Sequence, residues 1–179
     1  QETGALPLRR RGDGFEALLS AVVGQQVSIA SASAIWARVE AAGYHIQSNV
    51  AMASEADLQG VGLSRPKVRY AKALADNALN YSSLRGLPDD VVITELCKIL
   101  GIGTWTAEVY ALSSLGRADV FPNGDLALQE AAKVLFELDA RPNEKQMKAL
   151  AAEWSPWRAV AARLLWAYYR VIKNREGIR

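Results

Sequence analysis

The sequence predicts an all-α protein. Apolar residues recur with the spacing of one helical face along most of the 179 residues, first at Phe15, Leu18, Leu19, Val22 and Val23. No stretch shows the apolar–polar alternation of a half-buried strand. Glycine and proline turns, rather than strand-like segments, separate the periodic stretches. These three observations favour helices joined by short turns.

The predicted helices follow in order from their apolar stripes and end signals. After the first helix, which ends at Gln25-Gln26, a second runs from Ser28 to Ala42. Ser54 is predicted to cap a short turn through Leu58, and Pro88-Asp89-Asp90 to open a helix, since proline suits the first helical position and acids the first turn. The other helices are expected over residues 65–80, 104–116, 125–137, 143–153 and 156–173, with Asn143 as a cap.

The composition limits the classes of protein and of site that the chain can form. Half of the residues are hydrophobic, which at this length is enough for a substantial core. No apolar run reaches the ~18 residues of a membrane span, and no signal peptide is visible, so we expect no membrane partner. The net charge of +2 permits nucleic-acid binding without arguing for it. The one cysteine, Cys97, excludes an internal disulfide or a cysteine-based zinc site and fits a reducing, cytoplasmic setting.

A glycine turn joins two predicted helices at Gly101-Ile102-Gly103, and Thr104 is expected to cap the second. Glycine lets the backbone approach a ligand closely because no Cβ intervenes. The amides and the dipole at a helix start favour an anion, so the turn is a candidate phosphate site. The spacing fits a plain connection between antiparallel helices equally well.

Asp125 follows Asn123-Gly124 and opens a helix, which by residue type makes it a helix N-cap. A carboxylate fixed in that position can also stabilise positive charge that develops in a reaction. The two interpretations are compatible.

Five segments, in order, resemble the helix-hairpin-helix DNA glycosylase superfamily. They are Val23–Ser28, Gly62–Lys67, Leu100–Ala107, Asp119–Asp125 and Trp154–Arg158 running on to Trp166. Within that superfamily the chain is similar to the alkylation-repair branch of 3-methyladenine DNA glycosylase II, in a compact form without the N-terminal β-domain. The resemblance covers residues 14–170. It implies two helical lobes with a cleft between them, the hairpin at one rim and Asp125 at the bottom.

The resemblance also implies a division of the chain. Residues 14–117 would form the lobe with the hairpin, which spans residues 91–116. Residues 118–179, together with the N-terminal segment 1–13, would form the second lobe and carry the aspartate and the last helix.

The implied function is that of a monofunctional DNA glycosylase of base excision repair. It would flip out an alkylated base such as 3-methyladenine and hydrolyse its N-glycosidic bond, with Asp125 as the catalytic residue. Trp105 stands where the lyase branch has a lysine, so no Schiff base is expected. The alternatives are a glycosylase of the same superfamily for hypoxanthine, ethenoadenine or another lesion, and a non-catalytic helix-hairpin-helix DNA-binding module.

Two tryptophans are implied as walls of the base pocket. Trp105 lies on the apolar stripe that it forms with Val109 and Leu112, so core packing is the alternative. Trp166 falls outside the predicted core stripe of the last helix, although that helix could also be buried nearly all round. The predicted stripe consists of Trp157, Val160, Ala161, Leu164, Tyr168 and Val171.

The DNA contacts are implied in the same way. Gly101, Ile102, Gly103, Thr104 and Thr106 would grip a phosphate. Gln26 matches the wedge that fills the gap left by a flipped base, with Gln25 beside it, whereas simple helix termination would also explain the pair. The branch typically carries an aliphatic wedge and has an aromatic residue where this chain has Val109, so both positions depart from it.

The implied partner is double-stranded DNA with a damaged base, bound by a monomer in the bacterial cytoplasm or a eukaryotic nucleus. No cofactor and no catalytic metal are expected, although a structural ion can bind at the hairpin carbonyls in this family. A basic cluster of Arg65, Lys67, Arg69 and Lys72 could face DNA or form an ordinary solvated helix face, and Arg9-Arg10-Arg11 could form a basic arm.

Overall fold

The computed structural model describes Gly4 and residues 11–175. All regular secondary structure in that part is helical, so the all-α prediction is confirmed there. The α-helices are α1 (Phe15–Gly24), α2 (Ile29–Ala41), α3 (Gln47–Met52), α4 (Glu55–Gly60), α5 (Arg65–Asp76), α6 (Asp89–Cys97), α7 (Thr104–Tyr110), α8 (Leu126–Leu135), α9 (Glu144–Ala152) and α10 (Arg158–Arg175). A 3₁₀ turn spans Ser83–Gly86, and a π-helical segment, Ala111–Leu115, continues α7. Among these helices none is long and apolar enough to cross a membrane.

The chain divides into two compact units. Residues 11–115 carry α1 to α7 and are here called the hairpin unit, and residues 116–175 carry α8 to α10 and are called the aspartate unit. Arg11 belongs to the hairpin unit, where its amide donates to the Ser113 carbonyl at 3.0 Å. Arg9 and Arg10 lie outside the described residues.

Helix α1 forms the centre of the hairpin unit. Its predicted stripe is buried, and the helix packs against α2, α5 and α7. The buried residues of α5, among them Val68, Ala71 and Leu74, complete the core beside it. The residues that follow α1 therefore emerge from a well-packed helix.

Local end signals predicted several helix ends correctly. Ser54 caps α4 in a capping box with Asp57, and Asn143 caps α9 in a capping box with Gln146. The helix expected over residues 65–80 ends earlier, at Asp76. There the Gln47 side chain donates to the carbonyls of Ala75 and Asn77, which takes the place of a further helical turn.

In the aspartate unit α10 packs on α8, and the predicted core stripe of α10 is wrong. Trp157, Val160 and Leu164 are 63%, 48% and 41% exposed. Over residues 158–173, where burial is described, the buried residues of α10 are Ala159, Ala162, Leu165, Ala167 and Ile172. Small side chains let two helices approach closely, and α8 also buries alanines, Ala131 and Ala132. Packing against α8 thus selects a small-residue face over the more hydrophobic one.

Candidate functional site

The predicted hairpin is a tight turn between α6 and α7. The Ile99 amide donates to the Leu96 carbonyl at 3.1 Å, and the Ile102 amide donates to the Ile99 carbonyl at 3.0 Å. Helix α6 packs against α7 across this turn. Ile102 is buried, which anchors the turn in the hairpin unit.

The two glycines of the turn have different structural roles. Gly101 has φ +91°, and a Cβ there would lie 2.2 Å from Cγ of Tyr70, so both the backbone and the packing on α5 require glycine. Gly103 has φ −89°, and a Cβ there would meet nothing within 4 Å. The protein itself has space for a Cβ at Gly103, and the same space would let a ligand approach the backbone closely.

The start of α7 has no side-chain cap. The prediction that Thr104 caps this helix is wrong, because Thr104 is already helical and Gly103 is the N-cap. Glycine has no side chain that could accept from the first amides of the helix. The helix dipole and these amides would favour an anion at this position.

An open cavity of about 490 Å³ faces the hairpin and is lined by Gln25, Tyr70 and residues 97–103. Gln25 Nε2 donates to the Gly101 carbonyl at 3.0 Å and to Thr106 Oγ1 at 3.3 Å. Because a carbonyl only accepts, the amide nitrogen must be the atom that faces it. Thr106 is buried, so it contributes to the hairpin through this contact and its place at the helix start.

Gln26 adopts a left-handed backbone conformation, with φ 56°, and is exposed. Left-handed geometry is uncommon outside glycine and persists when the surroundings hold it. Here Lys67 Nζ donates to the Val23 carbonyl at 2.7 Å, three residues before Gln26. Lys67 is buried, and this burial lowers the pKa of its ammonium group.

Lys67 therefore does not belong to a solvated basic face. Lys72 is also engaged within the protein, since its Nζ donates to the Ala51 carbonyl at 2.9 Å. Arg65 and Arg69 are the exposed members of the predicted cluster.

Trp105, the second residue of α7, is 43% exposed. The stripe predicted for this helix is only partly correct, because Leu112 is buried and Val109 is half-buried. The buried residues of α7 are Thr106, Ala107, Glu108 and Tyr110. Trp105 is thus not one of the buried residues of α7.

In the aspartate unit Asp125 is the N-cap of α8, as predicted. Its Oδ1 accepts from the amides of Ala127 at 2.9 Å and Leu128 at 3.0 Å, and the residue is only 8% exposed. The Asp125 amide donates to the Pro122 carbonyl at 3.0 Å. These bonds fix the orientation of the carboxylate at the helix start.

The loop before Asp125 is tied to α10 by an ion pair that the sequence analysis missed. Arg158 donates from Nε to Asp119 Oδ1 at 2.7 Å and from Nη2 to Oδ2 at 2.8 Å. Ser155 Oγ donates to the same Oδ2 at 2.8 Å, and the Ala159 amide donates to the Ala118 carbonyl at 2.9 Å. The hydrogen bonds from Arg158, above all, lower the pKa of Asp119 to about 2. Both residues lie in segments that carry the resemblance, but no local pattern links them.

Trp166 lies on α10, one helical turn after the buried Ala162, and is half-buried. It therefore belongs to the packed side of the helix, opposite the exposed Trp157 side. The predicted site residues are thus divided between the units. Gln25, Gln26, the hairpin and Trp105 lie in the hairpin unit, and Asp125 and Trp166 lie in the aspartate unit. Within the described ranges no group of three or more acidic, histidine or cysteine side chains could hold a metal ion.

Comparison with known proteins gives a consistent result. Residues 19–156 match the model of the HhH-GPD superfamily base excision DNA repair proteins. A crystal structure of a DNA-3-methyladenine glycosidase from Bacillus halodurans is similar with a TM-score of 0.83 and 32% identity, over 94% of this chain and 81% of that chain. A 3-methyladenine DNA glycosylase from Schizosaccharomyces pombe, solved in complex with abasic DNA, is similar with a TM-score of 0.79 and 25% identity, over 94% and 86% of the two chains.

Among curated sequences, the Bacillus subtilis protein YfjP is 29% identical over 179 residues, which covers 93% of this chain and 62% of YfjP. Two further relatives are covered over 54% and 56% of their lengths. The chain thus spans little more than half the length of these relatives.

Proposed function

We propose that this chain, which belongs to the HhH-GPD superfamily of base excision DNA repair proteins, is a monofunctional DNA glycosylase that removes alkylated bases. The observation that carries the proposal is Asp125, a nearly buried carboxylate that two backbone amides hold at the start of α8. The two similar solved structures, both of 3-methyladenine-type enzymes, support the choice of substrate class.

In the proposed reaction a damaged base leaves the DNA duplex and its N-glycosidic bond breaks. The bonding electron pair leaves with the base, and positive charge develops on the sugar. The Asp125 carboxylate stabilises that charge or orients the water that adds to the sugar carbon. The water oxygen forms the new bond and its proton is released, so the products are a free base and an abasic site. The reaction written in this way uses no cofactor.

The hairpin would bind a phosphate of the DNA backbone through Gly101, Ile102, Gly103 and the amides from Thr104 to Thr106. The missing side-chain cap on α7 and the empty space around Gly103 support this role. The carbonyls of Ile99 and Gly101 each accept one hydrogen bond and keep a second lone pair. They therefore fit the structural ion that the family places here, which would offset phosphate charge.

Trp105 and Trp166 would stack on the extruded base, and Gln26, with Gln25 beside it, would fill the gap in the duplex. The exposure of Trp105 and the outward-facing, left-handed Gln26 support these assignments. The partner is double-stranded DNA that carries a damaged base. We expect the protein to act as a monomer in the compartment that contains the chromosomal DNA, which is the bacterial cytoplasm or a eukaryotic nucleus.

The proposal includes a substrate preference. No clear general acid for protonating a leaving base is found among the assigned pocket residues. A base alkylated at a ring nitrogen already carries positive charge, so it leaves readily and stacks well on indole rings. Neutral lesions such as hypoxanthine would need a proton and should be released slowly.

Single-turnover excision from matched duplexes that contain either 7-methylguanine or hypoxanthine tests this preference. We expect faster release of 7-methylguanine. Faster release of hypoxanthine would instead support a glycosylase for neutral lesions. Binding to both duplexes without release of either base would support a non-catalytic DNA-binding module.

A further inference from the structure

We propose that Gln25 is a positioning residue that couples the hairpin to the turn at Gln26, so that phosphate binding at the hairpin sets the position of the wedge. The proposal rests on the proposed function, because the wedge role of Gln26 is part of it.

The Gln25 side chain bridges two parts of the hairpin. One amide nitrogen carries two protons, and here it meets two acceptors, the Gly101 carbonyl at 3.0 Å and Thr106 Oγ1 at 3.3 Å. One acceptor belongs to the turn and the other to the first turn of α7. A shift of the hairpin therefore moves both acceptors of a single side chain.

Helix α5 holds the same two segments from another side. Lys67 and Tyr70 are three residues apart and share a helix face. Lys67 holds the end of α1 through the Val23 carbonyl, and the Tyr70 ring lies against Gly101 so closely that no Cβ would fit. Gln25 supplies the third connection, from the end of α1 directly to the hairpin. Three contacts in a closed triangle restrain relative motion more strongly than two.

Only one peptide bond separates Gln25 from Gln26. A left-handed conformation is unfavourable for a non-glycine residue and needs neighbours that enforce it. Here Gln25 on one side and Ser28, the N-cap of α2, on the other enclose the turn. Because its two hydrogen bonds hold the Gln25 side chain against the hairpin, Gln25 in turn restrains the backbone of its neighbour, Gln26.

The first test replaces Gln25 by methionine, which keeps length and flexibility but removes both donors. The matched control is Gln47→Met, because Gln47 is also half-buried and its Nε2 donates to two backbone carbonyls, at 2.8 and 3.3 Å, but it links α3 to the end of α5. Because both hydrogen bonds are lost, we expect Gln25→Met to slow excision of 7-methylguanine from duplex DNA by about tenfold.

Gln25→Met should excise the base from single-stranded DNA, where no stack must be refilled, at a rate close to that of Gln47→Met. The two variants should also have similar melting temperatures. In a Gln26→Ala background Gln25→Met should cause no further loss, because Gln25 acts through Gln26. Additive losses, or an equal loss in Gln47→Met, would overturn the proposal.

A second variant, Gln25→Glu, separates positioning from simple packing. An ionised carboxylate would repel the Gly101 carbonyl, whereas a protonated one regains a donor. The ratio of variant to wild-type duplex excision should therefore rise as the pH falls from 8 to 5. Tyr70, Cys97 and Lys98, which also line the cavity, and Lys67, which binds the Val23 carbonyl, are present in both the variant and the wild type. Taking the ratio of the two excision rates therefore compares proteins that differ only at position 25. A ratio that does not change with pH would overturn the proposal.

The outcome for wild-type protein distinguishes the two proposals. Wild-type protein that releases no base would overturn the proposed function. Fluorescence of a 2-aminopurine beside the lesion would then report wedge insertion without chemistry. In that assay Gln25→Met should lower the signal and Gln47→Met should not, and equal signals would overturn the coupling.

Discussion

The hairpin unit and the aspartate unit differ in the part of the chain that carries their chemistry. In the hairpin unit the candidate ligand site is backbone, a turn at Gly101 with φ +91° and a helix start without a side-chain cap. In the aspartate unit it is a side chain, Asp125, that backbone amides hold in place. Backbone contacts to phosphate carry no information about the base. The difference indicates that the hairpin turn provides affinity for any DNA, whereas Asp125 provides the charge for the reaction.

The largest effect is expected from Asp125→Asn. Asparagine is also a good N-cap, so α8 should stay intact while the negative charge is lost. Base release should slow on the order of 100-fold or more, and DNA affinity should not fall. The control is Asn143→Ala, which removes the N-cap of α9 in the same unit and should reduce stability by about 1 kcal/mol without slowing release. Single-turnover rates within tenfold of wild type for Asp125→Asn would contradict the catalytic role.

Trp105→Ala and Trp166→Ala should each slow release of a cationic base by about tenfold. This corresponds to the roughly 1–3 kcal/mol of stacking between a base and an aromatic ring. Trp157→Ala is the matched control, because Trp157 lies beside the start of α10, the helix of Trp166, and is 63% exposed. Equal rates for Trp157→Ala and Trp166→Ala would show that Trp166 is not part of the base pocket.

Gly103→Val should weaken binding to damaged and undamaged duplexes by the same factor, several-fold, because it blocks close approach to the start of α7. A Cβ at Gly103 meets nothing within 4 Å, so the fold should be retained, with some loss of stability because valine is a poorer N-cap than glycine. Gly101→Ala should in addition lower the melting temperature, because its Cβ would strike Tyr70. Fluorescence anisotropy with both duplexes measures the affinities, and a loss confined to damaged DNA would contradict a backbone contact.

The smallest effect concerns the ion pair between Asp119 and Arg158. The folded-state pKa of Asp119, about 2, lies below the ordinary value of 3.8. The stabilisation is therefore complete above pH 4 and is lost as the pH falls towards 2. Asp119→Asn should reduce the free energy of unfolding by about 1 kcal/mol at pH 7, and the difference from wild type should shrink by pH 2. Asp139→Asn, an exposed carboxylate of the same unit, is the control in urea unfolding at both pH values. A difference that stays constant with pH would contradict the assigned role of Asp119.

The sequence predicted features that depend on near neighbours. A helix cap involves residues within about four positions of each other, so Ser54, Asn143 and Asp125 were assigned correctly. The cap at Thr104 was wrong by one position because Gly103 already has the extended backbone of an N-cap. The all-α class followed from periodicity in the same local way.

Features that depend on a distant partner were not predictable. The buried face of α10 is set by close packing on α8, which favours Ala159 and Ala162 over the more hydrophobic Trp157 and Leu164. Gln25 contacts Gly101 across 76 positions of the chain, and Arg158 contacts Asp119 across 39. No local pattern signals such pairs. The roles of the site residues came from the resemblance and stay predictions.

The most direct test measures, on one 7-methylguanine duplex, the dissociation constant and the excision rate at saturating protein for Gly103→Val and Asp125→Asn. The different roles of the hairpin turn and of Asp125 predict opposite results. Gly103→Val should raise the dissociation constant but release the base at nearly the wild-type rate once saturated. Asp125→Asn should bind like wild type and lose release. If each variant lost affinity and rate together, the assignment of binding to the hairpin turn and chemistry to Asp125 would be contradicted.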